Sequence, residues 1–417
     1  MSFLYPFLTF LQPGILWPAT ADLRPSILAA LIGALVGFFM RPQYSRAEAF
    51  RSKAFIYLVA FVIAQALSVY YSGVMAMVEE FGFWYPFALF VVVSILLMPT
   101  VEALQRYVWG MICGGMVVIV YGIYGVSHWG GYQGTGRAGA YGMYENHNDY
   151  SFIIVQILPF VYMYWRQEQK ALRRWFLMGS LIACAAGIAM SLSRGGMIAL
   201  VVEAALIVLI GMEGRRRLWL LPVLAILGTG AIGYQYAKRA ENQGGSYTVE
   251  DAESSRYELW KAGMNMVLDK PLLGVGSRRF PEYSSRYYEL SHDQLGKVSH
   301  NTYIEVLSGS GLLGFAAFFL MGRHVIRELR RKPVRPPSAA IEATRKATLI
   351  SIYTLLLRAF LDAKPHDWSF YTLLAIGIAC YFLQREHEAT SGAGAVPSEP
   401  TQPARIEGGV PPQLRGI

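Results

Sequence analysis

Apolar blocks long enough to cross a lipid bilayer recur along most of the chain. A membrane-spanning helix needs about 20 mostly apolar residues, and such blocks follow one another from the N-terminus to about residue 384. Only 16% of the residues are charged, whereas soluble domains carry about 25%. The apolar surface of a soluble helix would also form one stripe, not a whole block. The pattern therefore predicts an all-α, polytopic transmembrane helix bundle.

We predict about twelve membrane helices. The apolar segments are residues 3–19, 26–40, 53–72, 84–98, 107–126, 150–165, 175–192, 196–212, 218–236, 301–322, 347–361 and 369–384. The first contains Pro6, Pro13 and Pro18, so we expect it to be kinked or partly re-entrant. Helices 1–9 then fall within residues 1–236, and helices 10–12 within residues 301–388.

The distribution of Lys and Arg predicts the orientation of the bundle. Most basic residues of the short loops lie on one side, and the short loops of the other side hold few, among them Arg137, Arg194 and Lys364. Because Lys and Arg accumulate in cytoplasmic loops, both termini should be cytoplasmic. The net charge of +9 therefore reflects membrane topology, and we expect no nucleic-acid partner.

Residues 237–300 form one long loop, which this orientation places outside the cytoplasm. Its apolar residues recur at helical spacing in ESSRYELWKAGMNMVLDKP, which predicts an amphipathic helix lying along the membrane surface. A second helical stretch is expected near residues 280–291. Residues 389–417 are rich in Gly, Pro, Ala, Ser and Thr, a composition typical of a disordered cytoplasmic tail.

Two arginines on the outer side are candidates for binding an anion. Arg194 lies in SLSRGGMIAL, where serines and glycines predict a tight hairpin at a helix N-terminus, a favourable place for an anion. The alternative is an arginine that extends to the membrane interface. Arg256 lies on the predicted helix of the long loop, beside acidic residues with which it could form solvated pairs.

His300 stands where the long loop meets the next apolar helix, and Asn301 and Thr302 follow it as predicted capping residues. A lone histidine at a membrane interface is usually an anchor. Imidazole is nevertheless the side chain best suited to accept a proton near neutral pH. His300 is therefore a candidate base.

Further polar candidates lie before the sixth apolar segment, in GYQGTGRAGAYGMYENHNDYSF. Arg137 and Asn146 could reach a sugar or a phosphate. Asn148 or Asp149 is most simply an N-cap. Charged residues inside membrane segments are functional candidates by default, and the chain has two such residues, Glu203 and Arg358.

These motifs, in this order, resemble those of the O-antigen ligase and polymerase superfamily of bacterial membrane glycosyltransferases. The resemblance covers roughly residues 130–322 and rests on ENHND, SRGG, SRYELWKAGMNMVLDKPLLGVGSRRF and HNTYIEVLSGSGLLG. Members of this family often have Asn-Pro-Asn where this chain has Asn146-His147-Asn148.

The resemblance implies a transfer reaction at the periplasmic face of the bacterial inner membrane. A glycan leaves undecaprenyl diphosphate for an acceptor hydroxyl, with lipid A–core as the expected acceptor. Arg194 and Arg256 would bind the diphosphate, and His300 would activate the hydroxyl. The family is expected to need no metal or cofactor and to invert the anomeric centre. The other candidate substrate contacts are Arg137, Asn146, Asn148, Arg279, Asn301 and Arg358.

Two other functions remain open. A polymerase of the same family would use a second lipid-linked glycan as its acceptor, and nothing in the loops decides between ligase and polymerase. A transporter or flippase for lipid-linked glycans would instead use Glu203 and Arg358 on an alternating-access path. Transporter sites usually lie at the midplane, between paired repeats, whereas the polar candidates here gather at one face.

Overall fold

The computed structural model describes residues 1–242 and 249–393, and every regular element in these residues is helical. The α-helices are α1 Leu4–Leu11, α2 Pro13–Leu16, α3 Pro25–Phe39, α4 Arg46–Phe50, α5 Lys53–Leu67, α6 Val74–Leu96, α7 Val101–Trp129, α8 His147–Gln167, α9 Ala171–Ser191, α10 Arg194–Leu206, α11 Leu220–Asn242, α12 Val249–Asp269, α13 Phe280–Tyr287, α14 Thr302–Arg330, α15 Ala339–Arg358 and α16 Trp368–Ala393. A π-helical turn, Ile207–Gly211, continues α10.

Each predicted apolar segment coincides with a helix, which confirms the helical membrane bundle. Six described spans are long and apolar enough to cross a membrane: α6, α7, α9, Arg194–Gly211, Arg217–Tyr234 and α14. The first segment is interrupted, as expected from its prolines. α1 ends at Gln12, whose φ of 50° is left-handed, and α2 begins at Pro13.

Close helix packing forms the centre of the bundle. α8 packs against α9 and α15, α14 packs against α5, and α1 packs against α7. Gly110 of α7 permits the last of these contacts, because a Cβ there would lie 2.1 Å from the carbonyl oxygen of Phe3. Small residues commonly allow such close approach between membrane helices.

The long loop folds onto the bundle. α12 and α13 share a small apolar core in which Leu259 and Met266 are fully buried beside Phe280, and Ile304 of α14 packs against it. The apolar face of α12 formed by Leu259 and Met266 therefore packs on protein. The part of the loop between α11 and α12, residues 243–248, lies outside the described residues.

A break in α14 fastens this loop in place. Gly311 has φ 63° and ψ −166° inside the helix, and a Cβ there would lie 2.3 Å from the backbone of Leu272. The N–H groups of Val275 and Gly276 donate to the carbonyl oxygens of Ser308 and Gly309 at 2.9 and 3.0 Å. The LLGVG turn thus uses its backbone donors to hold α14.

α16 extends to Ala393, so residues 389–393 are helical. The rest of the predicted tail, residues 394–417, lies outside the described residues.

Candidate active site

Five helix ends meet at one end of the bundle. α8, α10 and α14 begin there, and α9 and α15 end there. The loops at these ends carry the polar residues singled out from the sequence. The neighbouring helices run in opposite directions, so residues far apart in the chain are brought to the same face.

The SRGG sequence forms the predicted hairpin. Leu192 has a left-handed φ of 49°, and the hydroxyl of Ser193 accepts a hydrogen bond from the N–H of Gly196 at 3.1 Å. Ser193 is therefore the N-cap of α10, and Arg194 is its first residue. Arg194 therefore stands at the positive end of a helix dipole, a position that favours an anion.

The loop before α8 braces this hairpin. The hydroxyl of Ser193 donates to Oδ1 of Asn148 at 2.8 Å. Arg137 donates to the carbonyl oxygens of Ser191 and Leu192, each at 3.1 Å. Arg137 thus caps the end of α9 with a positive charge, the sign that stabilises a helix C-terminus.

The cap of α8 differs from the prediction. Asn146 is the N-cap residue, and its side chain accepts from the N–H of Asn148 at 2.7 Å. The expectation that Asn148 or Asp149 would cap the helix was wrong. Their side chains are used elsewhere: Asn148 accepts from Ser193, and Asp149 forms an ion pair with Lys364 at 2.9 Å.

Arg358 is buried at the centre of this face, with no exposed surface. It forms an ion pair with Asp362 at 2.9 Å, and it donates to the carbonyl oxygen of Asn148 at 2.8 Å. A Cβ at Gly195 would lie 4.0 Å from its Nε. Arg358 therefore links the ends of α8, α10 and α15.

Removing this charge should dismantle the site. We expect Arg358→Met to cost about 3–5 kcal/mol of stability, because it leaves the Asp362 carboxylate buried without its partner. Arg358→Met combined with Asp362→Leu should recover much of the stability. Thermal unfolding in detergent measures both effects. Unfolding midpoints equal to wild type in Arg358→Met would contradict a structural role for this pair.

His300 is half-buried at the entrance to α14 and has a left-handed φ of 51°. Its flanking residues are tied down. The hydroxyl of Ser299 donates to Glu305 at 2.7 Å, and the side chain of Asn301 caps α14 by accepting from the N–H groups of Tyr303 and Ile304. Asn301 is therefore the helix cap that the sequence predicts, and it fixes the backbone next to His300.

The loop helix α12 brings a positive charge to His300. Trp260 of α12 donates from its indole nitrogen to the carbonyl oxygen of Ser299 at 3.1 Å. Arg256 lies one helical turn earlier. Burial lowers the pKa of His300 and the charge of Arg256 lowers it further, whereas Asp362 opposes the shift. Imidazole stays neutral, and can accept a proton, at a more acidic pH than usual.

Asp362 and Arg358 connect the surroundings of His300 to the start of α10. Arg256 and Asp362 both act on His300, Asp362 pairs with Arg358, and Arg358 lies beside the residue that follows Arg194.

Arg279 lies away from this group, near Tyr71, Tyr283 and Glu282. The neighbouring residue Arg278 forms an ion pair with Glu80 at 2.9 Å.

Two site residues were missed by sequence reasoning. Asp362 and Lys364 come from LDAKPHDW, the short loop between α15 and α16. Asp362 follows Arg358 by four residues, the spacing of a helical ion pair, so this partner could have been found. Burial would lower the pKa of Lys364, but the Asp149, Asp367 and Asp362 carboxylates raise it overall.

The part of the chain that contains Arg194, Arg256 and His300 also matches a known protein family. Residues 179–319 match the family described as O-antigen ligase, whereas comparison with curated proteins gives no match. The matched residues run from α9 into α14 and contain Arg194, Arg256 and His300. The match confirms the resemblance drawn from the sequence: residues 179–319 are similar to the O-antigen ligase family, which supports a membrane glycosyltransferase of the O-antigen ligase and polymerase type.

Proposed function

We propose that this protein transfers a glycan from undecaprenyl diphosphate to an acceptor hydroxyl at the periplasmic face of the bacterial inner membrane. The acceptor is lipid A–core, so the reaction is that of a ligase. The observation that carries this proposal is the position of His300. The indole of Trp260, one helical turn after Arg256, donates to the carbonyl oxygen of the adjacent Ser299. Asp362, whose charge also influences His300, pairs with the buried Arg358, which lies beside Gly195 at the start of α10.

Each part of the group has a chemical task. The bond between the sugar C1 and the diphosphate oxygen breaks, and negative charge grows on the departing diphosphate. Arg194 and Arg256 stabilise this charge, since guanidinium groups remain ionised in a low dielectric and match phosphate geometry. The acceptor hydroxyl attacks C1 from the opposite face, and neutral His300 takes its proton. The product has the inverted configuration, and no step uses a metal.

The other residues hold this arrangement. Arg137, Asn146 and Asn301 make hydrogen bonds with backbone groups at helix ends. Asn148 and Arg358 join the loop before α8 to the hairpin and to Asp362. Nη1 of Arg358 is buried without a hydrogen-bond partner among the described residues.

The pH dependence of transfer should reflect the environment of His300. Its pKa is lowered by burial, then by Arg256, Lys297 and Lys364, and is raised by Asp362. Because the neutral form is the base, kcat/KM should fall only below the ordinary histidine pKa of about 6.5. Arg256→Gln should move this acidic limb to higher pH, independently of its effect on the maximum rate. An acidic limb at the same pH in both proteins would show that the charge of Arg256 does not influence the pKa of His300.

The transporter alternative depends on Glu203. This residue is fully buried in α10, and neither carboxyl oxygen has a hydrogen-bond partner among the described residues. Glu203→Gln has the same shape, so we expect it to leave glycan transfer within about twofold, as for a mutation away from the reacting groups. Loss of lipid-linked glycan translocation in this variant, with transfer unaffected, would favour a transporter.

The choice between ligase and polymerase requires a direct competition between acceptors. Purified protein is given an undecaprenyl-diphosphate-linked glycan with lipid A–core or a second lipid-linked glycan. A ligase yields glycosylated lipid A–core, and a polymerase yields a longer lipid-linked glycan. Formation of the longer lipid-linked glycan alone would overturn the ligase assignment. The proposal that this site transfers a glycan would still stand.

A further inference from the structure

A basic cleft lies at the end of the bundle opposite His300. It encloses about 1100 Å³ between α4, α5, α14 and α16. Its charged lining consists of seven basic residues and two glutamates: Arg51, Lys53, Arg323, Arg327, Arg330, Arg331, Arg385, Glu48 and Glu328. This surplus of positive charge suits a polyanionic group.

Three of these arginines remain available to a ligand. Arg323, Arg327 and Arg330 are exposed and share one face of α14, and none of them forms an ion pair within the described part of the chain. By contrast, Arg385 pairs with Glu48 at 3.4 Å, and Arg331 with Glu388 at 3.8 Å.

An apolar groove opens into the basic cleft. It encloses about 370 Å³ between α14, α15 and α16, and its apolar lining includes Phe319, Leu356 and Leu373. Arg323 and Ile326 line both spaces. Phe319 is 56% exposed, so this groove faces the hydrocarbon of the bilayer. Its shape and polarity fit acyl chains that continue into a charged head.

We propose that the groove and the cleft together bind an anionic phospholipid, with its acyl chains between α14, α15 and α16 and its phosphates on Arg323, Arg327 and Arg330. Basic pockets between membrane helices recognise such headgroups at the cytoplasmic surface. The headgroup lies at the opposite end of α14 from His300, so this lipid is not the glycan donor.

Variants of the arginines test the headgroup contact. Purified protein in detergent is titrated with cardiolipin, phosphatidylglycerol or phosphatidylethanolamine and examined by native mass spectrometry and thermal unfolding. We expect both anionic lipids to bind and to raise the unfolding temperature, and phosphatidylethanolamine not to. Arg323→Gln with Arg327→Gln should weaken anionic-lipid binding at least about tenfold. The control is Arg41→Gln with Arg215→Gln, which removes two exposed charges outside the cleft and should bind as wild type.

A second pair of variants tests the groove. A Cβ at Gly322 meets nothing within 4 Å, so Gly322→Leu fills the groove without disturbing α14. The matched control is Gly179→Leu on α9, where a Cβ also meets nothing. We expect weaker cardiolipin binding in Gly322→Leu alone. Equal binding of phosphatidylethanolamine, unchanged binding in the arginine variant or in Gly322→Leu, or full stabilisation by inorganic phosphate would each overturn the proposal.

Discussion

Replacing His300 with asparagine is expected to reduce glycan transfer by about 10²–10⁴-fold, the usual contribution of a general base. Asparagine is the informative replacement, because it tolerates the left-handed φ of 51° at this position but cannot accept a proton at neutral pH. The surrounding contacts of Ser299 and Asn301 should persist, so the protein should remain folded in the membrane. His300→Ala should lose transfer to a similar degree.

The matched control for this change is His292→Asn, which alters an exposed histidine of the same loop. Rates are compared with the purified donor and acceptor, at equal amounts of protein with the same thermal unfolding temperature. Near-normal transfer by His300→Asn would remove the proposed base. A similar loss in both variants would indicate a general effect on the loop.

Arg194→Gln and Arg256→Gln should each lower kcat by about 10²–10³-fold, as expected when one group that stabilises a developing negative charge is removed. The KM for the donor should change less, because the charge on the diphosphate grows as the bond breaks. Lysine at either position should restore only part of the rate, since an ammonium group lacks the paired donors of a guanidinium.

Arg286→Gln is the control for charge removal in the long loop. Arg286 is exposed on α13, and its guanidinium stacks on Tyr283 at 4.5 Å, away from the proposed reacting groups. We expect transfer by this variant to match wild type. If Arg194→Gln and Arg256→Gln retained full kcat and lost only donor affinity, the two arginines would bind the donor without assisting bond cleavage.

The sequence was most informative where local chemistry decides the structure. Uninterrupted apolar blocks predicted the helices, because a bilayer requires the backbone to satisfy its hydrogen bonds within each span. The serine before Arg194 and the glycines after it predicted the N-capped hairpin at α10. Asn301 was predicted as the cap of α14 for the same reason.

Contacts between distant residues were harder to predict. The spacing of apolar residues in α12 indicated an apolar face. It did not indicate that this face packs against Phe280 and Ile304. The guanidinium of Arg137 donates to two carbonyl oxygens at the end of α9, a contact that the sequence did not indicate. Such contacts depend on how helices pack, which the order of residues in a single chain does not reveal.

The most direct test of the account is donor turnover by the purified protein. Undecaprenyl-diphosphate-linked glycan and an acceptor alcohol are incubated with EDTA, and the freed undecaprenyl diphosphate and the anomeric configuration of the product are measured. The account predicts release of the lipid diphosphate with inversion at C1 in wild type, and almost none in His300→Asn. Retention of configuration, activity that depends on a divalent metal, or equal turnover by the two proteins would contradict it.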